Sequence, residues 1–179
     1  MGHFNYQKAK EFYMDDSFML EIINRLEEMN QYHLLRNYDY LFEVMNAIPA
    51  SAMDYDKWLS VCNGGLLFST TLLSRTEYDE QLDLSFSTLQ EWNTDQKHKL
   101  LNLPRGYFII ALLNYGDPIC LSESDSKVYL WDTTEEEFTT IWDSFADFLA
   151  DEYNTAVQML EDNVLESIPI KASGGQYGQ

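Results

Sequence analysis

Residues 107–132, YFIIALLNYGDPICLSESDSKVYLWD, carry the reading that decides the fold class. Tyr107 to Leu113 is an apolar, β-prone run. Gly116-Asp117-Pro118 is a turn signal, because glycine and aspartate tolerate turn geometry and proline presets it. Ile119-Cys120-Leu121 resumes a strand, and Ser122 to Ser126 form a polar turn. Val128, Leu130 and Asp132 then alternate with Tyr129 and Trp131, which suits a strand at a sheet edge.

Upstream, the period changes from two to about 3.6. Phe18, Ile22, Leu26 and Met29 recur at helical spacing, with Leu20 and Ile23 widening the stripe, and predict a helix over residues 17–31 capped at Ser17. A second helix is expected over residues 38–47, closed by Pro49, which forces Ile48 away from helical geometry. A third is expected over residues 53–62, with Tyr55, Trp58, Leu59 and Cys62 inward, stopping at Asn63-Gly64-Gly65. Short strands are expected at 66–68 and 70–73, and a short helix over 89–101. Downstream, Ile141, Phe145, Phe148, Leu149, Ala156, Val157 and Leu160 predict a closing helix over residues 140–162. Early helices, a set of strands and a closing helix describe an α+β domain. A single domain is expected over residues 1–170, followed by a mobile, Gly-rich tail over 171–179.

Charge narrows the function. The chain of 179 residues carries 30 acidic and 11 basic side chains, a net charge of −19. Such a chain repels phosphate backbones and anionic headgroups, and it attracts basic proteins at salt-dependent rates. Direct nucleic-acid binding and membrane binding are therefore not expected, and no apolar run approaches the roughly 20 residues that span a bilayer. Without an apolar stretch of signal-peptide type at the N-terminus, the expected compartment is the cytoplasm. Between Lys127 and Lys171 there is no Lys, Arg or His. Asp143, Asp147 and Asp151, spaced by four, are expected to stack on one face of the closing helix, a repulsive arrangement that a basic partner relieves. A solvated outer face is the plainer reading of the same residues.

Catalytic motifs are absent from the sequence. There is no HExxH, GxSxG, P-loop or GxGxxG, and Ser122 to Ser126 lacks the ligand order of a calcium loop. No metal and no cofactor is expected. Cys62 with His33 or His98 would make a thiol–imidazole pair, but a packed thiol is the commoner fate of a cysteine on an apolar helix face. Two cysteines, Cys62 and Cys120, do not make a disulfide framework in a chain of this length. The aromatic residues Tyr107, Phe108, Tyr115, Tyr129 and Trp131 fill the core, grip a partner or stack on bases, and the acidity argues against the last.

The order of these pieces resembles the SUKH superfamily, the Smi/Knr-type domain. The resemblance begins at Ile48-Pro49 and the segment Tyr55 to Cys62 with its Asn63-Gly64-Gly65 stop. It continues through Tyr107 to Ile110, Gly116-Asp117 and Ile119 to Leu121, and closes with Val128 to Asp132 and Ile141 to Leu149. Ala50 to Met53 departs from the family's usual run, and residues 74–103 match no recognisable part of it. The resemblance implies an α+β fold with a central, mostly antiparallel sheet flanked by helices, and a binding role without catalysis. Bacterial and phage members look like immunity proteins, which implies a basic toxin, of nuclease type, as partner. Fungal members resemble regulators of cell-wall assembly and signalling, the alternative role; a carboxylate-dependent enzyme is the third. The residues expected to meet the partner are Asp117, Tyr129, Trp131, Asp132, Glu135, Glu136, Asp143, Asp147, Asp151 and Glu152.

Overall fold

Met19, Ile22, Ile23 and Leu26 lie at helical spacing and all four are buried, so the first helix, α1 (Ser17–Glu28), turns one apolar stripe inward. Its cap is Asp16, one residue earlier than expected. The Asp16 carboxylate accepts the Met19 N–H at 2.9 Å, which satisfies one of the donors a helix start leaves open. The computed structural model describes residues 16–28, 34–37, 53–67, 69–75, 78–79, 84–85 and 87–159. The helix expected over 38–47, Pro49 and the tail at 171–179 lie outside the described residues.

Strand β1 (Leu34–Asn37) is followed by α2 (Met53–Val61), whose Tyr55, Trp58 and Leu59 are fully buried. The glycines after α2 do not simply stop a helix. They belong to β2 (Cys62–Leu66), which starts directly after Val61. Gly64 has φ +81°, and a Cβ there would lie 2.8 Å from the Leu72 carbonyl oxygen and 2.9 Å from Ser74 Cβ. Glycine is required for both the backbone angle and the close approach. Then come β3 (Thr70–Leu72), the short hairpin β4 (Tyr78–Asp79) and β5 (Leu84–Ser85), and two helical pieces, α3 (Leu89–Trp92) and α4 (Asp95–Leu100). One helix was expected over 89–101. Thr88 and Thr94 instead cap two, each side chain accepting an N–H three residues on, from Glu91 and Lys97.

The meander β6 (Tyr107–Leu113), β7 (Pro118–Ser122), β8 (Val128–Asp132) follows as the opening stretch predicts. A further strand, β9 (Glu137–Trp142), intervenes before the last helix, α5 (Phe145–Met159). The closing helix therefore starts later than expected, and Ile141 lies in a strand. The main sheet runs β1-β2-β3-β6-β7-β8-β9 with every neighbouring pair antiparallel. The edge is thus β9, and β8 lies one strand inside it.

Helix α5 packs against α1, α2 and β9, and α2 packs against β2. Phe145 of α5 meets Tyr55 and Trp58 of α2 edge-on at 5.2 and 5.9 Å, and Phe148 meets Trp142 of β9 at 5.2 Å. The Tyr55 hydroxyl donates to strand carbonyls, those of Leu73 and, at 3.0 Å, Ile110, which ties α2 to the sheet centre. Residues 74–103 leave β3 and return beside it. Where β3 has ended, the Asn93 side chain takes its place: Oδ1 accepts the Ile109 N–H at 2.7 Å and Nδ2 donates to the Ile109 carbonyl at 2.8 Å. One amide side chain thus satisfies both backbone groups of a buried strand residue.

Candidate interaction surface

The face of the sheet opposite α5 is built on small residues. Residues directly opposite in an antiparallel pair point to the same face. The pairings Tyr107↔Ser122, Ile109↔Cys120, Cys120↔Tyr129 and Tyr129↔Ile141 therefore place these six side chains together. On β7 they are only Cys120 and Ser122, both buried. The larger rings of the flanking strands reach over them. Phe138 of β9 lies 4.5 Å from Tyr107 of β6 between ring centroids, three strands away. It also meets Tyr129 at 5.2 Å and Trp131 at 4.8 Å, and Tyr107 meets Tyr129 at 5.3 Å. Trp131 is the buried base of this cluster, donating its indole N–H to the Leu101 carbonyl at 2.9 Å after α4. Tyr107, Tyr129 and Phe138 are half-buried, and Ile141 beside them is 38% exposed.

Carboxylates surround the rings. Asp125, in the turn before β8, accepts the Tyr129 hydroxyl at 2.7 Å and the Lys127 N–H at 3.0 Å. Burial pushes the Asp125 carboxyl up, but these bonds and the Lys127 charge outweigh it and hold the group below its ordinary value. Burial, then the bond to Asp125, push the Tyr129 phenol up to about 12. The acid stays charged and the phenol stays a donor. Lys127 reaches Asp143 at 3.0 Å, and that bond raises the ammonium further above its usual value. At the other end of the hairpin, Asp132 accepts the N–H groups of Thr134 at 2.8 Å and Glu135 at 2.9 Å, which fixes the β8–β9 turn. Glu135, Glu136 and Glu137 follow, all exposed, with Glu136 accepting from Asn102 at 2.6 Å.

The ten residues expected to meet a partner do not form one surface. Asp117 is buried and accepts the Thr133 N–H at 3.1 Å and its hydroxyl at 2.5 Å, so it holds the two hairpin turns together. Trp131 is core. Glu152 is buried under the β2–β3 turn, 3.0 and 2.8 Å from Ser69 Oγ, which donates to it. Nor do Asp143, Asp147 and Asp151 stack on one helix face. Asp143 precedes α5, and Ser144 caps that helix by accepting the Asp147 N–H at 3.0 Å and donating to its carboxylate at 2.8 Å. Asp151 accepts the Trp142 indole N–H at 3.0 Å. Tyr129, Glu136 and Asp143 do belong to the aromatic face or its rim, whereas Asp132 pairs with Glu137 on the opposite face and Glu135 lies in the β8–β9 turn. Three members went unrecognised in the sequence: Phe138, Asp125, and Ile141, assigned there to a helix. The signals were present, in the β-branched Thr139-Thr140-Ile141 run and in an acid four residues before a tyrosine.

Rings edged with carboxylates suit an apolar and cationic counterpart, since aromatic faces attract ammonium and guanidinium groups as the acids do. Other chemistry finds less support. Burial raises the Cys120 thiol well above its usual range, which keeps it protonated and unreactive. Burial lowers His98, whose Nε2 lies 3.3 Å from Asn93 Oδ1 and so helps orient that amide. Among the described residues no group of three or more His, Cys, Asp or Glu side chains is placed to hold a metal ion, and no helix is long and apolar enough to cross a membrane.

Residues 53–151 match the family model described as SMI1 / KNR4 family (SUKH-1). The match opens at α2, later than the Ile48-Pro49 start of the resemblance, and runs through residues 74–103 into α5. None of the curated proteins and none of the solved structures gives a significant match.

Proposed function

The chain belongs to the SMI1 / KNR4 (SUKH-1) family, and from that premise we propose that it is an immunity-type binding protein that neutralises a basic toxin. The supporting observation is the half-open cluster of Tyr107, Tyr129 and Phe138 with Asp125 bonded to the Tyr129 hydroxyl, Glu136 bonded to Asn102 beside the Leu101 that Trp131 reaches, and Asp143 two residues past Ile141. Buried aromatic anchors inside a charged rim are the usual anatomy of a tight protein interface. The net charge of −19 adds long-range attraction toward a basic target. Toxins that cleave nucleic acid carry basic clefts, and an acidic face masks such a cleft without any catalytic group.

The test is capture from the native host with a tagged chain, at low and at moderate salt, followed by co-expression with the captured protein. Recovery of one basic protein, bound more slowly as salt rises, together with protection of the host from its toxicity, is the expected result. A partner without toxicity, or one that kills despite abundant co-expressed chain, would remove the immunity role.

A further inference from the structure

The outer edge of β9 has no strand paired to it among the described residues. Alternate residues of such an edge direct their N–H and C=O groups outward, a template for another strand. Proteins usually defend edges with lysine, proline, inward charges or bulges, and β9 has one bulge, at Thr139, which leaves Thr140 to Trp142 as its regular part. Here Phe138-Thr139-Thr140-Ile141-Trp142 contains neither charge nor proline and is rich in β-prone residues. Charge stands only at the ends, Glu137 at one and Asp143 just beyond the other.

We propose that β9 receives an extended, basic-ended segment of the partner as an added strand, continuing the main sheet past its acidic edge. This inference rests on the binding role above and specifies its geometry. The charge pattern selects the occupant. A second copy pairing antiparallel about Thr140 would set Glu137 opposite Asp143 twice, and like charges in register repel. The chain's own segment beyond α5 carries Glu161, Asp162 and Glu166 against a single cation, Lys171, a net negative charge that the same edge disfavours. A strand with a cation at each end meets complementary charge. The stronger pairing is at Glu137, which has no ion-pair partner among the described residues, whereas Asp143 already holds Lys127 at 3.0 Å. Ile141 and Phe138 then supply apolar contact on the aromatic face. Main-chain bonds give affinity in this mode and side chains give selectivity.

The experiment uses the full chain, backbone amide exchange by NMR, and a synthetic peptide of alternating valine and threonine with an arginine at each end, matched to β9 in length. Adding the peptide to millimolar concentration should slow exchange of the outward-facing β9 amides by about tenfold. An N-methylated peptide, unable to donate, and a glutamate-ended peptide should leave them unchanged. Protection absent from β9, or equal protection by the N-methylated peptide, would overturn the inference. The two readings fail separately. If a basic toxin is captured and β9 exchange is unaltered in its complex, the added strand is wrong and the binding role stands. If the peptide protects β9 and no basic protein is captured, the edge is real and the immunity role is wrong.

Discussion

Glu152 shows how burial changes the meaning of a single acid. Its carboxyl is packed under the β2–β3 turn, and burial raises its pKa above the ordinary glutamate value against the opposing bonds from Ser69 and Thr70. The native state therefore holds its proton to higher pH than the unfolded chain does. Its contribution to stability is complete below the ordinary glutamate pKa and declines as pH rises through the raised one. Glu152→Gln keeps an oxygen for Ser69 and removes that decline. Urea unfolding of the two proteins across the mildly acidic range should show the variant gaining on the native chain as pH rises. A constant difference would mean that Glu152 titrates as it does in the unfolded chain. The sequence placed Glu152 on an acidic surface because it follows Asp151 in a stretch without cations. Only the packing of α5 against the β2–β3 turn separates the two acids.

At the level of elements, the meander of β6, β7 and β8 was legible because its turn residues and apolar runs agree on the same boundaries. β9 was not. Ile141, Phe145 and Phe148 happen to fall at helical spacing, so the period of α5 reads backward through Ser144 into the preceding strand. The Ser144 cap marks the true boundary, as a serine three residues before an acid often does. The stretch over residues 74–103 was opaque for another reason. Its key bond is made by one side chain, Asn93, to backbone sixteen residues away, and no periodicity reports it. Asn93→Ala leaves the N–H of buried Ile109 without that partner and removes a bond from its carbonyl. A cost of at least about 2 kcal/mol is expected, at roughly 1–3 kcal/mol for each buried group left unsatisfied, read from the midpoint of urea unfolding. A loss under about 0.5 kcal/mol, the size of an ordinary surface substitution, would show that solvent replaces the amide there.

Across the whole molecule, the excess of acids acts against compactness while it favours encounter with a basic partner. Added salt screens the self-repulsion, so the melting temperature of the isolated chain should rise between low and moderate sodium chloride, while its association with a basic partner slows. A melting temperature that falls with salt would indicate that ion pairs such as Lys127–Asp143 and Arg75–Asp56 outweigh the repulsion. The acidic balance itself was plain in the sequence. Which acids surround an apolar surface was not, because the rim draws on three separate turns, before β8, between β8 and β9, and before α5.

The measurement that bears most directly on the binding face is the association of the captured basic protein with the native chain and with Ile141→Lys, by surface plasmon resonance at two salt concentrations. Ile141 is exposed, so the variant keeps its fold, and its new cation stands beside the rings and the Asp143 rim. A loss of affinity of about a hundredfold or more, the size of a hot-spot substitution, is the predicted result, with the native complex also weakening as salt rises. Unchanged affinity, or binding indifferent to salt, would place the interface elsewhere on the molecule and contradict the assignment of this face.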